Sequence, residues 1–184
     1  MNKLILISGD LAAGKSTLAK RLGDYLSYVV INKDELKEIE CDVFDYFNRE
    51  ENRKLSVASM NNMIHFFSRL AKAGVDTILE ANFRSEEVCE IADIAEEYGY
   101  SVILLMLEGD QNLLYQRFLE RMENRHRAHI SIGLQNDFSK FVEYNNHLRN
   151  QDLVYEPHTI DVTDLNEDKV FEIALEIVNE EKFI

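Results

Sequence analysis

Leu4-Ile5-Leu6-Ile7-Ser8-Gly9-Asp10-Leu11-Ala12-Ala13-Gly14-Lys15-Ser16-Thr17 is the stretch that decides the fold. Its first four residues are apolar and run into a glycine two positions later, which predicts a buried parallel strand. Beyond Lys15, apolar residues at Leu18, Ala19, Leu22, Tyr25 and Leu26 recur with helical spacing. Between strand and helix, Gly9 to Ser16 fits G-x-x-x-x-G-K-[ST] at every fixed position. The glycines let the backbone wrap a phosphate where a Cβ would obstruct it. Loop amides and the start of the helix aim donors at an anion. Lys15 is expected to reach the β- and γ-phosphate oxygens, and the Ser16 hydroxyl to enter a Mg²⁺ shell that otherwise keeps several waters. Chance produces these four fixed positions about once in several tens of thousands of windows, so an ordinary glycine-rich turn is the poorer reading.

Working outward, Tyr28–Ile31, Val75–Ala81, Ser101–Leu107 and Thr159–Val162 predict four further strands. Helical patterns lie between them: one from near Lys33, one from Leu55 to Gly74, and one starting at a Ser85 cap and ending at Gly99. Further helical patterns begin at an Asp110 cap, over Phe138–Leu148 and over Lys169–Val178. Strands alternating with helices imply an α/β fold, a five-stranded parallel sheet covered on both faces in three layers. The chain has one proline and seven glycines, so no flexible linker divides it, and 1–184 is expected to be one domain.

The 34 acids outnumber the 20 bases, giving a net charge of −14. Such a surface repels polyphosphate, making long nucleic acid an unlikely partner, whereas a local nest of donors can still hold a single nucleotide. Cys41 and Cys89 have no metal-type spacing and are expected to be reduced thiols. The apolar run at the N-terminus is too short for a secretory signal, and no later run approaches the roughly 20 residues of a membrane span. A cytoplasmic location without membrane attachment is the expectation. Oligomeric state is not readable.

Ile31-Asn32-Lys33-Asp34, Leu79-Glu80-Ala81-Asn82-Phe83-Arg84, and Arg117-Phe118-x-x-Arg121 followed by Arg125-His126-x-x-His129 add to the phosphate loop. Together these motifs, over residues 3–165, resemble the P-loop kinases of the AAA-type ATPase-like group, related to zeta toxins, chloramphenicol phosphotransferase, gluconate kinase and polynucleotide 5′-kinase. The resemblance implies a P-loop NTPase fold, Mg·ATP as phosphoryl donor and a small-molecule hydroxyl as acceptor. It implies a helical acceptor region about 35–73 and a lid about 121–134. A guanine-reading N-K-x-D motif is missing its spacer in Asn32-Lys33-Asp34. Alternatives in the same sequence are a nucleotide or polynucleotide 5′-hydroxyl kinase and a non-catalytic ATP-binding regulator.

ATP is expected on Gly9, Ala12, Ala13, Gly14, Lys15, Ser16, Thr17 and Arg117, with Ser16 on the metal. Asp34 follows the second strand, where strand ends face the ligand crevice. The resembled kinases carry there an aspartate that accepts the proton of the attacking hydroxyl. The alternative is that Asp34 caps the following helix. Glu80 is an acid in an apolar strand, a costly placement unless it serves the Mg²⁺ waters or the substrate. Asn82, Arg84 and Arg125 are candidate acceptor or phosphate contacts. Arg117, Arg121 and Arg125 recur every four residues on one helical stripe beside Leu114, Phe118 and Met122. An arginine row aimed at the loop would neutralise charge on the transferring group; Arg117 and Arg121 fit this best. His126 and His129 lack a third ligand for zinc and are read as lid contacts. Phe44, Tyr46 and Phe47 could belong to an acceptor pocket, and Asp161 and Thr163 could border adenine.

Overall fold

A computed structural model describes residues 1–46, 48–129 and 132–180. Phe47, one of the three aromatics above, lies outside them, as do residues 130 and 131 of the expected lid. Among the described residues five parallel strands form one sheet, in the order β2-β3-β1-β4-β5. These are β1 (Lys3–Gly9), β2 (Val29–Asn32), β3 (Thr77–Glu80), β4 (Ser101–Glu108) and β5 (His158–Asp161). Helices α1 (Lys15–Leu26), α2 (Lys33–Val43), α3 (Arg49–Ala73) and α4 (Ser85–Glu97) alternate with the first strands. Helices α5 (Gln111–Met122), α6 (Ile132–Gln135) and α7 (Phe138–Arg149) separate β4 from β5, and α8 (Glu167–Glu180) follows β5.

The central strand shows why both faces must be covered. Every residue of β1 is buried, and successive side chains point to opposite sides. Ile5 and Ile7 join α1, α5, α7 and α8 through Leu18, Leu22, Phe118, Phe141 and Ala174. Leu4 and Leu6 join α3 and α4 through Met63, Phe67, Val88 and Ile91. Phe67 is fully buried and meets Tyr100 edge-on at 5.8 Å between ring centroids. Truncating such a phenylalanine to alanine costs about 3–5 kcal/mol.

Helix α3 starts six residues before the expected Leu55. Asn48 caps it by accepting from the Glu51 amide at 2.9 Å, and Glu50 and Glu51 sit in its first turn. This polar opening has no apolar period, so periodicity could not find it. The helix at Ser85 begins as expected, but Arg84 holds the cap position, its amide donating to the Glu87 carboxylate at 2.8 Å. No described helix is long and apolar enough to cross a membrane.

Candidate active site

The loop between β1 and α1 is shaped by two glycines with different duties. Gly9 has φ +126°, and a Cβ there would lie 2.1 Å from the Leu107 carbonyl oxygen of β4. Its freedom therefore serves the close approach of two strands, not the phosphate directly. Gly14 has φ +90°, and a Cβ there would meet nothing within 4 Å. That left-handed turn opens the cradle at the N-terminus of α1, where unpaired amides gather. Ala12 is also left-handed, at φ +63°.

Lys15 folds back over this loop. Its ammonium donates to the carbonyls of Gly9 at 3.0 Å and Asp10 at 2.6 Å. Burial lowers its pKa, against the pull of Glu80, Asp34 and Asp10. Two polar braces hold the loop from behind. The carboxylate of Asp10, fully buried, accepts from Arg149 Nε at 3.0 Å, from Arg149 Nη2, and from the Gly109 amide at 3.1 Å. The Leu11 amide donates to Asn145 Oδ1 at 2.9 Å. Asp10, Asn145 and Arg149 went unnoticed in the sequence, because Asp10 stands at a free position of the motif and its partner is 139 residues away.

Glu80 ends β3, where it pairs in register with Ile7 of β1 and Asn32 of β2. Its Oε2 accepts from the Ser16 hydroxyl at 3.0 Å and from Asn32 Nδ2. Burial raises its pKa; the nearby Lys15 opposes this, and Asp34 adds to it. A buried carboxylate bonded to the loop serine is a donor set suited to Mg²⁺, which needs few protein ligands. Asn32 also works through its other side-chain atom, because its Oδ1 accepts from the amides of Asp34 at 2.7 Å and Glu35 at 3.2 Å. Asn32, not Asp34, is thus the cap of α2, and the Asp34 side chain is free of that duty.

The Asp34 carboxylate is 47% exposed but enclosed by cations. Lys33 Nζ lies 3.5 Å away, His129 Nδ1 3.7 Å and Arg125 Nη2 3.8 Å. Burial pushes its pKa up, and Lys33, His129, Arg125 and Lys15 together outweigh this and hold it below the ordinary aspartate value. Tyr144, on α7, faces the same cleft. Burial raises its pKa, Asn82 and Arg84 counter this, and Asp34 and Glu87 add to the rise. Asn82 Oδ1 is buried without a hydrogen-bond partner among the described residues. Tyr144 was missed because it stands off the buried stripe of Phe141, Asn145 and Leu148.

Arg117 and Arg121 line a cleft of about 300 Å³ with Ala12, Ala13, Gly14 and Thr17. Its far wall is Val162, Leu165 and Asn166, after β5. Asp161 and Thr163 do not line it. They bond each other at 2.5 Å, and Thr163 Oγ1 accepts from the Asp110 amide at 2.9 Å. Burial, then Arg125 and Arg117, lowers the pKa of Arg121. Arg125 departs from its two stripe-mates: it sits 6.0 Å from the Phe118 ring and reaches Asp34.

The segment after α5 docks on α2. Buried Lys37 donates to Asn52 Oδ1 at 2.8 Å and to the Ala128 carbonyl at 2.9 Å. His129 meets Glu38 at 2.9 Å, His126 meets Asp42 at 3.0 Å, and Arg127 reaches the Cys41 carbonyl. Tyr46 donates to the Arg127 carbonyl at 2.5 Å, while Phe44 is exposed.

Loop, sheet order and flanking helices define a kinase-like P-loop NTPase fold. The family model described as AAA domain matches residues 4–134, and the chain belongs to that family. A comparison with curated proteins gives no match. Among solved structures, a candidate kinase from Chloroflexus aurantiacus j-10-fl is similar with a TM-score of 0.78 at 20% identity, covering 95% of this chain and 97% of its own. Shikimate kinase from Acinetobacter baumannii, in complex with shikimate, gives 0.66 at 15%, covering 100% and 97%. A gluconokinase from Sinorhizobium meliloti 1021 gives 0.64 at 14%, covering 97% and 92%. At these identities the likeness concerns the fold.

Proposed function

We propose that this protein is an ATP-dependent kinase that transfers the γ-phosphoryl group to a hydroxyl of a small-molecule acceptor. The observation that carries this reading is the position of Asp34, clear of the α2 cap and within the field of Lys15 across one cleft. ATP supplies the phosphoryl group, and Mg²⁺ offsets its charge. Gly9, Ala12, Ala13, Gly14 and Thr17 shape the phosphate cradle, and Lys15 exchanges its carbonyl partners for phosphate oxygens. Ser16 and Glu80 hold the metal and its waters. Arg117 and Arg121 stabilise the charge that moves during transfer, with Arg117 also beside the nucleotide.

The acceptor oxygen forms the new bond to phosphorus as the bond to the β–γ bridging oxygen breaks. ADP leaves, and the hydroxyl proton passes to Asp34 and then to solvent. Asn82, Arg84 and Arg125 contact the acceptor. Residues about 35–73 form the acceptor region and about 121–134 the lid, within one domain of 184 residues. Such chemistry belongs to small-molecule metabolism in the cytoplasm, and the net charge of −14 disfavours long nucleic acid. Incubation with γ-labelled ATP and a panel of sugar acids, nucleosides, nucleotide sugars and antibiotics tests the reading. Label appears in a phosphomonoester if it holds; nucleotide binding with no label transferred to any acceptor refutes it.

A further inference from the structure

The acceptor cleft carries a charge pattern that a neutral alcohol leaves unused. Asp34 marks the end where a hydroxyl is activated. Tyr144, 38% exposed, lies within the fields of both Asp34 and Arg84. Arg84 is exposed and forms no ion pair within 4 Å among the described residues, in a chain where 34 acids compete for 20 bases. Glu87, which lies within its field, already accepts the Arg84 amide at 2.8 Å, and burial raises the Glu87 pKa. Lys33 is 18% exposed; its Nζ stands 3.5 Å from Asp34, and its field also reaches Glu87. Arg125 stands 3.8 Å from Asp34. These separations exceed the roughly 2.7–2.9 Å of a tight charged hydrogen bond. His129 is engaged elsewhere, its Nε2 meeting Glu38 at 2.9 Å. Lys33 and Arg125 thus share one carboxylate, Asp34, at long ion-pair distances, and Arg84 has no acid within 4 Å among the described residues.

We propose, resting on the kinase reading above, that the acceptor is a hydroxylated organic anion, whose carboxylate or phosphate ester is held by Arg84 and Lys33 beside Tyr144 while its hydroxyl faces Asp34. Enclosing Arg84 and Lys33 over a neutral polyol would strip their water without supplying a counter-charge, which is unfavourable. An anion supplies that charge, and a planar guanidinium meets carboxylate or phosphate oxygens in a two-pronged contact. The balance of the chain repels anions at long range, so recognition depends on these few side chains at short range.

A small-molecule cell extract, split on an anion exchanger into retained and unretained fractions, tests this with γ-labelled ATP. Label is expected in products of the retained fraction only. Pretreatment of that fraction with alkaline phosphatase separates the two sources: a phosphate-ester acceptor is destroyed, and a carboxylate acceptor survives. Matched pairs, D-gluconate with D-glucitol and AMP with adenosine, are run alongside. With the active acceptor, Arg84→Gln is expected to raise its KM about 10- to 100-fold with the KM for ATP unchanged, and Arg84→Lys to recover part of the loss. Labelled products from the unretained fraction, or an acceptor KM indifferent to Arg84→Gln, overturn the anionic acceptor and leave the kinase intact. No product from either fraction overturns the kinase reading and this proposal with it.

Discussion

Replacing Arg149 with methionine should expose the cost of the brace behind the phosphate loop. Asp10 is fully buried, and Arg149 supplies the only cation paired with it among the described residues. Methionine keeps most of the stem and removes the charge, leaving a buried carboxylate with the Gly109 amide alone at 3.1 Å. Breaking one side of a buried pair costs about 3–5 kcal/mol. For a chain of this size each kcal/mol moves Tm by about 2–4 °C, so a fall of roughly 6–20 °C is expected. The reverse change, Asp10→Asn, should cost less, about 1–2 kcal/mol. Arg149 is 27% exposed and keeps the Gly109 carbonyl at 2.7 Å and Glu108 at 3.6 Å. Asp10→Asn with Arg149→Met should therefore regain much of the single loss, giving a coupling of at least about 2 kcal/mol in a double-mutant cycle. Urea unfolding followed by circular dichroism measures all four proteins. A loss below about 1 kcal/mol for Arg149→Met, or simple additivity, would falsify the brace.

Lys15→Ala should lower kcat/KM by at least about 100-fold, since it removes charge from the transferring phosphoryl group; steady-state kinetics near wild type would refute the site. Asp34→Asn should leave ATP affinity in calorimetry within about twofold while kcat falls at least about 100-fold. Because its neighbours hold Asp34 below the ordinary value of 3.8, its acidic limb in a pH–rate profile should lie lower still, and the stability it contributes should be lost only as pH falls through that depressed value. Glu80→Gln should do the opposite to stability and activity: the unfolding free energy of the free protein rises at neutral pH, because burial disfavours the charged carboxylate, and Mg²⁺-dependent turnover collapses. The folded pKa of Glu80 is raised, so the wild type gains stability as pH falls through that value toward 4.5, and the variant should lack this gain. Arg121→Ala should lower kcat at least about 10-fold with a smaller change in ADP affinity, and an unchanged kcat would remove it from the mechanism.

The parts of the site that sequence reveals are those built from neighbouring residues. The strand, loop and helix from Leu4 to Leu26 follow from local periodicity and a fixed motif, and the structure has them at β1 and α1. Glu80 is visible as an acid that ends an apolar strand, and Asp34 as an acid two residues beyond one. The same signal does not say which residue caps α2; the geometry of the Asn32 side-chain Oδ1 assigns that to Asn32. Asp10 with Arg149, and Asp34 with His129, are joined by the folded chain, and a single sequence carries no mark of such pairings. Gly9 was legible as a glycine but not for its reason, since the crowding comes from Leu107 on another strand.

Helix α7 touches both halves of the proposed reaction. Tyr144 lies within the field of Asp34 in the proposed acceptor cleft, while Asn145 and Arg149 grip Leu11 and Asp10 of the loop after β1. Tyr144 and Asn145 are adjacent, about 100° apart around the helix axis. A small rotation of this one rod therefore displaces a wall of one chamber and the footing of the other. Reshaping the surroundings of Tyr144 will then carry a toll in nucleotide affinity, and second-site suppressors should gather where Asn145 meets Gln111 at 2.9 Å.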